Sequence, residues 1–338
     1  MAILITVIGF GVMVLLHELG HFVSAKKFGV TVHEFAIGMG PKIFSFGKGE
    51  TKYSLRLLPL GGYVKLEGEN DTEESDNPHS FSNISPLKRI VILVSGALMN
   101  ILLGILLFAV INMSMGIKPA VIGTFPEEFT KNEQYFKAGD KITRLNNSRI
   151  HTYDDVMFFM NRNGGNEIDI TLKRGGKELV IEDFKPYKTD YGYKLGVIFP
   201  VQKAGVIKSV EFAMYDTVNV SRAVFVSIGD LVRGRESLDK LSGPVEIVSV
   251  VGDVTSKSEG KFLWINVFLL FAMISVNLGI FNLLPFPALD GGSIVFAVYE
   301  LITKKKVSGN VIGYAGLIGF VLLIALAVYV TVGDIIAL

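Results

Sequence analysis

Four long stretches without a charged residue constrain the fold of this chain more than any other feature. They cover residues 2–16, 90–117, 262–289 and 307–333. A helix needs roughly 20 apolar residues to cross the hydrocarbon core of a bilayer, so the last three stretches are long enough by themselves. The first becomes long enough only if its helix continues to about Ser24. Only 19% of the residues are charged, against about a quarter in ordinary globular domains. The pattern predicts a polytopic α-helical membrane protein with four transmembrane helices.

Basic residues near the ends of these stretches predict the orientation of the chain, because Lys and Arg are retained on the cytoplasmic side. Three basic clusters fall on one side of the membrane if all four stretches cross it: Lys26 and Lys27, Lys88 and Arg89, and Lys304, Lys305 and Lys306. We therefore expect this side to be the cytoplasm. The N-terminus, residues 118–260 and the C-terminus would then lie outside.

The polar segments between the predicted spans carry local patterns of their own. Residues 53–57 and 63–66 alternate in polarity around a turn at 59–62, which predicts a β-hairpin, and the acidic segment 67–78 is typical of a solvated loop. Residues 118–200 combine strand patterns, turns and a helix at 152–163, which indicates one small α+β domain. Apolar residues at helical spacing after residue 203 predict amphipathic helices, interrupted at 241–244.

These patterns divide the chain into eight segments. They are a first transmembrane helix at 1–25, a cytoplasmic loop with a membrane-associated β-hairpin at 26–88, a second transmembrane helix at 89–115, a small α+β domain at 116–200, amphipathic and linker helices at 201–260, a third and broken transmembrane helix at 261–292, a cytoplasmic loop at 293–306, and a fourth transmembrane helix at 307–335.

Composition argues against several classes of function. The net charge of +1 gives no basic surface for nucleic acid, so no nucleic-acid partner is expected. The chain has no cysteine, which excludes thiolate metal sites, thiol catalysis and disulfides. The apolar N-terminus has neither a basic region before it nor a small-residue cleavage site directly after it. We therefore expect it to be retained as a span rather than removed as a signal peptide.

Three ionisable side chains follow directly on the first apolar stretch: His17, Glu18 and His21. A charge near the bilayer centre costs roughly 2.5–3.5 kcal/mol, so such residues usually have a function. On a helix, residues i and i+4 lie on one face, so both imidazoles can bind one metal ion while Glu18 stands beside them as a base for metal-bound water. The alternative is a hydrogen-bonded histidine pair without metal, which would leave Glu18 unexplained.

A catalytic zinc ion takes three protein ligands, and a carboxylate is the obvious third one here because the chain lacks cysteine. Asp290 follows the third apolar stretch, after two prolines that cannot continue a regular helix and before two glycines. Unwound backbone at membrane depth is tolerated only where it is buried in protein or faces water. Asp290 is therefore the candidate third ligand, and an ordinary helix-capping aspartate is the alternative.

These residues resemble the site-2 protease family of intramembrane zinc metalloproteases, and in particular its bacterial members of the regulator of sigma-E protease type. The resemblance covers nearly the whole chain. The matching segments read HELGH at 17–21, GGYVK at 61–65, SGALMN at 95–100, LSGP at 241–244 and NLGIFNLLPFPALDGG at 277–292.

The resemblance implies a bacterial cytoplasmic-membrane protease with one Zn²⁺ per chain, bound by His17, His21 and Asp290, with Glu18 activating water. It also implies that Asn282 and Pro285 help to hold the substrate, and that the hairpin around Gly61 and Gly62 pairs with an extended substrate segment. The implied substrates are transmembrane segments of membrane proteins that have already been trimmed, typically anti-sigma factors and remnant signal peptides. The zinc site would lie toward the cytoplasmic leaflet.

Residues 118–200 resemble a PDZ domain, which the same resemblance would place outside the cell as a size filter or a peptide contact. The chain departs from the family pattern in two ways. Some close relatives have two tandem PDZ domains where this chain has room for one, and Ser293 stands where many relatives have histidine. Asn100 fits a polar contact to the site and fits a plain interhelical hydrogen bond equally well.

Two other classes of protein fit parts of the pattern. A membrane transporter would use the intramembrane histidines and acids as an ion path, but transporters more often show repeated halves with paired broken helices. A non-catalytic PDZ scaffold would keep the metal for structure only.

Overall fold

The computed structural model describes residues 1–47, 49–69, 77–190, 192–237 and 243–337. The helices are α1 (Ala2–Lys27), α2 (Pro86–Met115), α3 (Tyr153–Asn163), α4 (Val206–Val232), α5 (Pro244–Lys257), α6 (Gly260–Asn282), α7 (Asp290–Thr303) and α8 (Gly309–Ala337). The strands are β1 (Val32–Phe46), β2 (Lys52–Leu66), β3 (Lys141–Leu145), β4 (Ser148–Arg149), β5 (Ile168–Arg174), β6 (Lys177–Phe184), β7 (Tyr187–Thr189) and β8 (Gly192–Lys194). The chain forms two compact units, Met1–Gly104 with Val220–Leu338, and Ile105–Asn219.

Within the described residues, four helices are long and apolar enough to cross a membrane: α1, α2, α6 and α8. Much of their surface is exposed apolar side chain, which suits lipid rather than water as the solvent. The number of candidate spans agrees with the four stretches predicted from the sequence.

Small residues let three of these helices approach closely. A Cβ atom added to Gly20 of α1 would lie 2.3 Å from the backbone oxygen of Ser95 in α2, and one added to Gly279 of α6 would lie 2.8 Å from that of Ala97. Small residues at helix contacts allow such backbone approach in membranes, where packing replaces the hydrophobic effect. Helix α2 therefore lies directly against both α1 and α6.

The predicted turn at residues 59–62 is wrong, because β2 continues through it. Strands β1 and β2 pair antiparallel, and the chain connects them between Phe46 and Lys52. Residues 34–37 of β1 have partners in both halves of β2, at 52–55 and at 62–65. Gly61 has a φ of +81°, a conformation that favours glycine, and the change of direction there lets the two halves pass on either side of β1. The segment 62–66 thus lies outside β1, next to α1.

The acidic loop predicted at 67–78 is described only at residues 67–69 and 77–78, and most of its acidic side chains, at 70–76, lie outside the described residues.

The predicted cytoplasmic loop at 293–306 is wrong in its secondary structure, because α7 occupies most of it. The predicted third span also ends earlier than 292, since α6 stops at Asn282 and residues 283–289 are not helical. Proline at 285 and 287 prevents the helix from continuing, and the chain restarts as a separate helix at Asp290. Helix α7 buries Ala297 and Glu300 instead of lying free in solvent.

Ile105–Asn219 form the second unit. Between residues 141 and 184, β4, β3, β5 and β6 form an antiparallel sheet in that order. Helix α3 begins with a capping box, in which Thr152 and Asp155 bond each other's backbone N–H groups. Large side chains such as Phe136 and Met160 are fully buried in its core. The strands, the helix and the turns agree with the α+β pattern predicted from the sequence.

The region 201–260 contains α4 and α5, which agrees with the predicted helices. Helix α5 begins at Pro244, a favoured position for proline, and Gly243 precedes it as the N-cap. The side chain of Asp334, near the end of α8, accepts hydrogen bonds from the backbone N–H groups of Gly243 and Glu246. Residues 238–242, with the first half of the LSGP segment, lie outside the described residues.

Candidate metal centre

His17 and His21 lie one turn apart on α1 and are nearly buried, with 8% and 9% of their surface exposed. Their Nε2 atoms are 3.1 Å apart. Helix α2 packs against both rings at Gly96, where an added Cβ would lie 2.3 Å from Nε2 of His21. The glycine therefore leaves the space in which the two imidazoles converge.

Asp290 is brought to the histidines by the interruption between α6 and α7. Its Oδ2 atom lies 3.2 Å from Nε2 of His17 and 3.4 Å from Nε2 of His21. Gly291 is required here, because a Cβ atom on it would lie 2.0 Å from the backbone oxygen of Leu284. Ala288 has a φ of +78°, which is unusual for a residue with a side chain. The tight turn of the interruption thus presents the carboxylate to α1.

The spacing of the three atoms fits zinc. Ligands about 2.0–2.1 Å from a tetrahedral zinc ion lie about 3.3 Å from one another. The observed separations of 3.1, 3.2 and 3.4 Å bracket this value. Oδ2 of Asp290 is buried and has no hydrogen-bond partner, although two ring nitrogens are close. The two ring nitrogens and the carboxylate oxygen are three electron-pair donors whose separations suit one cation. His17, His21 and Asp290 are the group of potential ligands found in the described part of the chain.

The remaining nitrogen of each ring has a partner that orients it. Nδ1 of His21 lies 2.9 Å from the backbone oxygen of Ile92, to which it can donate, so that Nε2 keeps its lone pair for a metal. Nδ1 of His17 lies 3.4 Å from the amide of Asn100 and 3.5 Å from that of Asn282. Oδ1 of Asn100 is buried without a hydrogen-bond partner. Turning this amide would let Oδ1 accept the proton of His17 Nδ1, because the two ends of an amide are nearly alike in shape.

Glu18 lies against β2, close to this ligand group. Its carboxylate accepts a hydrogen bond from the backbone N–H of Val64. A Cβ atom added to Gly62 would lie 3.5 Å from Cγ of Glu18, in ordinary van der Waals contact. Both histidines and Asp290 are close enough to interact electrostatically with the carboxylate. A base beside a metal site, held by an amide of a strand, can take a proton from metal-bound water.

The structure brings most of the predicted site residues together. His17, His21, Asp290, Glu18 and Asn282 meet at one place, and Gly62 touches Glu18.

Two predicted substrate residues lie beside this group rather than in it. Pro285 is exposed in the interruption after α6. Gly61 contacts Met39 instead of the metal centre, since a Cβ atom on it would lie 2.8 Å from Cε of Met39.

Sequence reasoning missed Gly96 and the backbone groups of Ile92 and Val64. Gly96 lies in the segment 95–100, but nothing in a single sequence shows which glycine faces a histidine ring. Backbone groups leave no sequence signal at all.

The arrangement as a whole supports hydrolysis assisted by a metal ion. It combines two imidazole nitrogens and one carboxylate oxygen that could bind a metal ion with a further carboxylate, Glu18, close to them. The chemistry of this donor set is that of a catalytic zinc ion, which binds three protein ligands and water.

Comparison with known proteins agrees with this geometry. The model of Peptidase family M50 matches residues 5–326. A protein named as a zinc metalloprotease in Clostridium acetobutylicum is 38% identical, with 99% of this chain and 97% of the relative covered. Zinc metalloprotease RasP of Geobacillus kaustophilus is 30% identical over 97% of this chain and 96% of its own length. The regulator of sigma-W protease RasP of Bacillus subtilis is 29% identical, with 97% of each chain covered.

A bundle of apolar helices that encloses a two-histidine, one-carboxylate centre defines an intramembrane metalloprotease. The chain belongs to Peptidase family M50, the site-2 protease family. It is a bacterial membrane protein and a metalloprotease with Zn²⁺ as its cofactor, which excludes the transporter and the non-catalytic scaffold that the sequence had left open.

Proposed function

We propose that His17, His21 and Asp290 hold the zinc ion and that Glu18 is the catalytic base for peptide-bond hydrolysis within the membrane. The observation that carries this proposal is the convergence of the three ligand atoms at 3.1–3.4 Å from one another. When bound, zinc lowers the pKa of a coordinated water to about 7 and polarises the scissile carbonyl.

The residues of the chain then have separate tasks. Glu18 takes the proton of the attacking water and returns it to the departing amine. The amide of Val64 holds one side of the Glu18 carboxylate, which keeps the base pointed between β2 and the ligands. The backbone oxygen of Ile92 holds the His21 ring, and Asn100 and Asn282 flank the His17 ring.

We propose that the substrate adds as a strand to β2 at Gly61 and Gly62, before Val64, whose N–H group is occupied by Glu18. A transmembrane helix hides its peptide bonds, so the protease must unwind it, and a strand edge gives the freed backbone new hydrogen-bond partners. The segment that contains Gly61 and Gly62 runs from the outer side of β1 past Glu18. The amide of Asn282 lies 3.5 Å from Nδ1 of His17 and, with the exposed Pro285, would help to hold the substrate at this ring.

We propose as substrates transmembrane segments of single-span membrane proteins that have already lost their external domain, such as anti-sigma factors and remnant signal peptides. The name of the Bacillus subtilis relative, a regulator of sigma-W protease, supports the first class. Basic clusters beside α1, α2 and α7 support a metal centre toward the cytoplasmic leaflet. The α+β domain at 118–200 would then lie outside, as a PDZ domain that filters substrates by size or contacts a peptide.

Replacing the base and replacing a ligand should have different effects on the purified protein. Glu18→Gln should retain one zinc ion per chain, because the ligands are intact, and should lower cleavage of a single-span substrate by about 10²–10⁴-fold, the typical contribution of a general base. His17→Ala should lose the zinc ion itself. The measurements are metal content and cleavage of the substrate in detergent micelles.

Glu50→Gln is a suitable control, because Glu50 is an exposed acid that pairs with Lys26 outside the metal centre. This variant should change neither the zinc content nor the rate of cleavage. Turnover by Glu18→Gln at the unmodified rate would remove Glu18 as the base, and full zinc content in His17→Ala would remove the ligand assignment.

A further inference from the structure

A further acidic residue, Glu69, stands close to the metal centre. It follows β2 by three residues and is partly buried. Its carboxylate interacts electrostatically with His21, Asp290 and Glu18. It also accepts a hydrogen bond from the backbone N–H of Leu66. It is not one of the ligands, because the group whose ligand atoms all lie within 4.8 Å of one another is His17, His21 and Asp290.

The edge of β2 orients both carboxylates. The N–H groups of alternate strand residues point to the same edge, so those of Val64 and Leu66 share one edge. Val64 donates to Glu18, and Leu66 donates to Glu69. The two acids are therefore held side by side along a single edge of β2, and this edge faces the metal ligands.

The turn that carries Glu69 is fixed by its own contacts. The backbone N–H of Glu67 bonds the oxygen of Thr31 at 3.0 Å, and the N–H of Phe81 bonds the oxygen of Glu67 at 2.7 Å. Gly68 has a φ of +70°, and a Cβ atom on it would lie 1.8 Å from Oγ of Ser80. The position of Glu69 beside the site is thus built into the fold.

Three carboxyl groups at one desolvated place repel one another when all are ionised, and either a retained proton or a cation among them relieves the repulsion. Two of the electrostatic partners of Glu69 are the acids Glu18 and Asp290, and the third, His21, is neutral when it binds a metal. A divalent cation between the ligands supplies the positive charge that this arrangement needs.

We propose that Glu69 is a positioning residue of the zinc centre, whose negative charge strengthens cation binding without entering the coordination sphere. The proposal rests on the ligand set proposed above. Groups that surround metal ligands typically contribute ten- to a hundredfold to metal affinity.

The test is zinc affinity of the full-length protein, measured by competition with a chromophoric chelator. Glu69→Gln keeps the shape of the side chain and removes its charge, so zinc should bind ten- to a hundredfold more weakly. Glu69→Asp keeps the charge and should retain most of the affinity. Glu67→Gln is the matched control, because Glu67 lies in the same turn and its carboxylate bonds Asn77 and pairs with His33. It should bind zinc like the unmodified protein.

A spectrum of the cobalt-substituted protein gives a second reading. Because Glu69 is outside the coordination sphere, Glu69→Gln should leave the cobalt absorption bands unchanged. A change in the cobalt absorption bands would show that Glu69 is a ligand and would contradict the positioning role. Unchanged zinc affinity in Glu69→Gln, or equal losses in Glu69→Gln and Glu69→Asp, would overturn the role of its charge.

An error in the proposed ligand set would give a different result in the zinc-binding assay. His17→Ala and Asp290→Asn should abolish zinc binding in the same assay. Tight zinc binding in these two variants would contradict the ligand set whatever Glu69 does. Thermal unfolding of each variant in detergent separates a loss of affinity from a loss of folded protein.

Discussion

At the scale of single residues, the metal centre depends on two glycines as much as on its histidine and aspartate side chains. The reactive side chains of His17 and Asp290 converge only because glycine at 96 and 291 leaves room for a ring and for a backbone turn. The ligand types were evident from the sequence, since histidines four residues apart in an apolar helix have few other uses. The glycines became interpretable only with the structure.

Gly96→Ala should therefore weaken zinc binding selectively. The new methyl group would lie 2.3 Å from Nε2 of His21, so the ring must move and the ligand atoms separate. Overpacking of this kind typically costs about 1–3 kcal/mol, which corresponds to about 5- to 150-fold in zinc affinity if the cost falls on the bound state. Chelator competition measures the affinity. Gly104→Ala is the matched control, because its methyl group would meet the side chain of Val276 at 2.4 Å and no ligand. Equal zinc affinity in both variants would contradict the explanation.

At the scale of elements, local patterns predicted which segments are helices and strands better than they predicted how these are connected. Alternation identified residues 53–57 and 63–66 as extended, and both are in β2. Both segments pair with β1, whose residues 34–37 lie between them. The two extended segments nearest in sequence therefore do not pair with each other. Pairing of this kind depends on contacts that are distant along the chain, which periodicity does not report.

Helix α7 shows the same limit. Prolines at 285 and 287 correctly predicted an interruption, but not that a helix would resume at Asp290 and bury Glu300. Glu300 forms a buried ion pair with Arg89 of α2 and accepts the backbone N–H of Val307 at 2.9 Å. This pair connects α7, which begins with Asp290, to α2, which packs against His17 and His21.

Breaking this pair should destabilise the protein far more than breaking an exposed one. Arg89→Met leaves the charge of Glu300 buried without its partner, and such losses cost about 3–5 kcal/mol. Adding Glu300→Gln removes that charge and keeps the acceptor for Val307, so the double variant should regain most of the stability. Thermal unfolding in detergent measures both.

The exposed pair of Lys26 and Glu50 gives the comparison, with 35% and 53% of the two side chains exposed. Lys26→Ala should cost no more than about 1 kcal/mol. A loss in Arg89→Met as small as this would show that the pair does not anchor α7.

At the scale of the whole molecule, the chain joins a membrane unit that contains every proposed catalytic residue to a separate unit, Ile105–Asn219. The apolar runs predict a separate domain at 116–200, because charged residues return there. The unit in the structure also includes the end of α2 and the start of α4, which composition does not indicate. The ends of the α+β domain lie together, since Ile117 and Gln202 exchange two backbone hydrogen bonds of 2.8 Å. The domain can therefore be removed between these two residues without separating the helices on either side.

Replacing residues 118–201 by a short Gly–Ser linker should leave zinc binding and cleavage of a short single-span substrate intact. If the domain filters substrates by size, the full-length protein should not cleave a substrate that keeps a bulky external domain. The deletion should allow cleavage of that substrate. Cleavage of both substrates is compared in proteoliposomes. The same deletion combined with Glu18→Gln should cleave neither substrate, which ties any gain to the zinc centre. If the deleted protein still refuses the bulky substrate while it cleaves the short one, discrimination resides in the membrane unit itself, in the space that the unwound segment must enter beside β2.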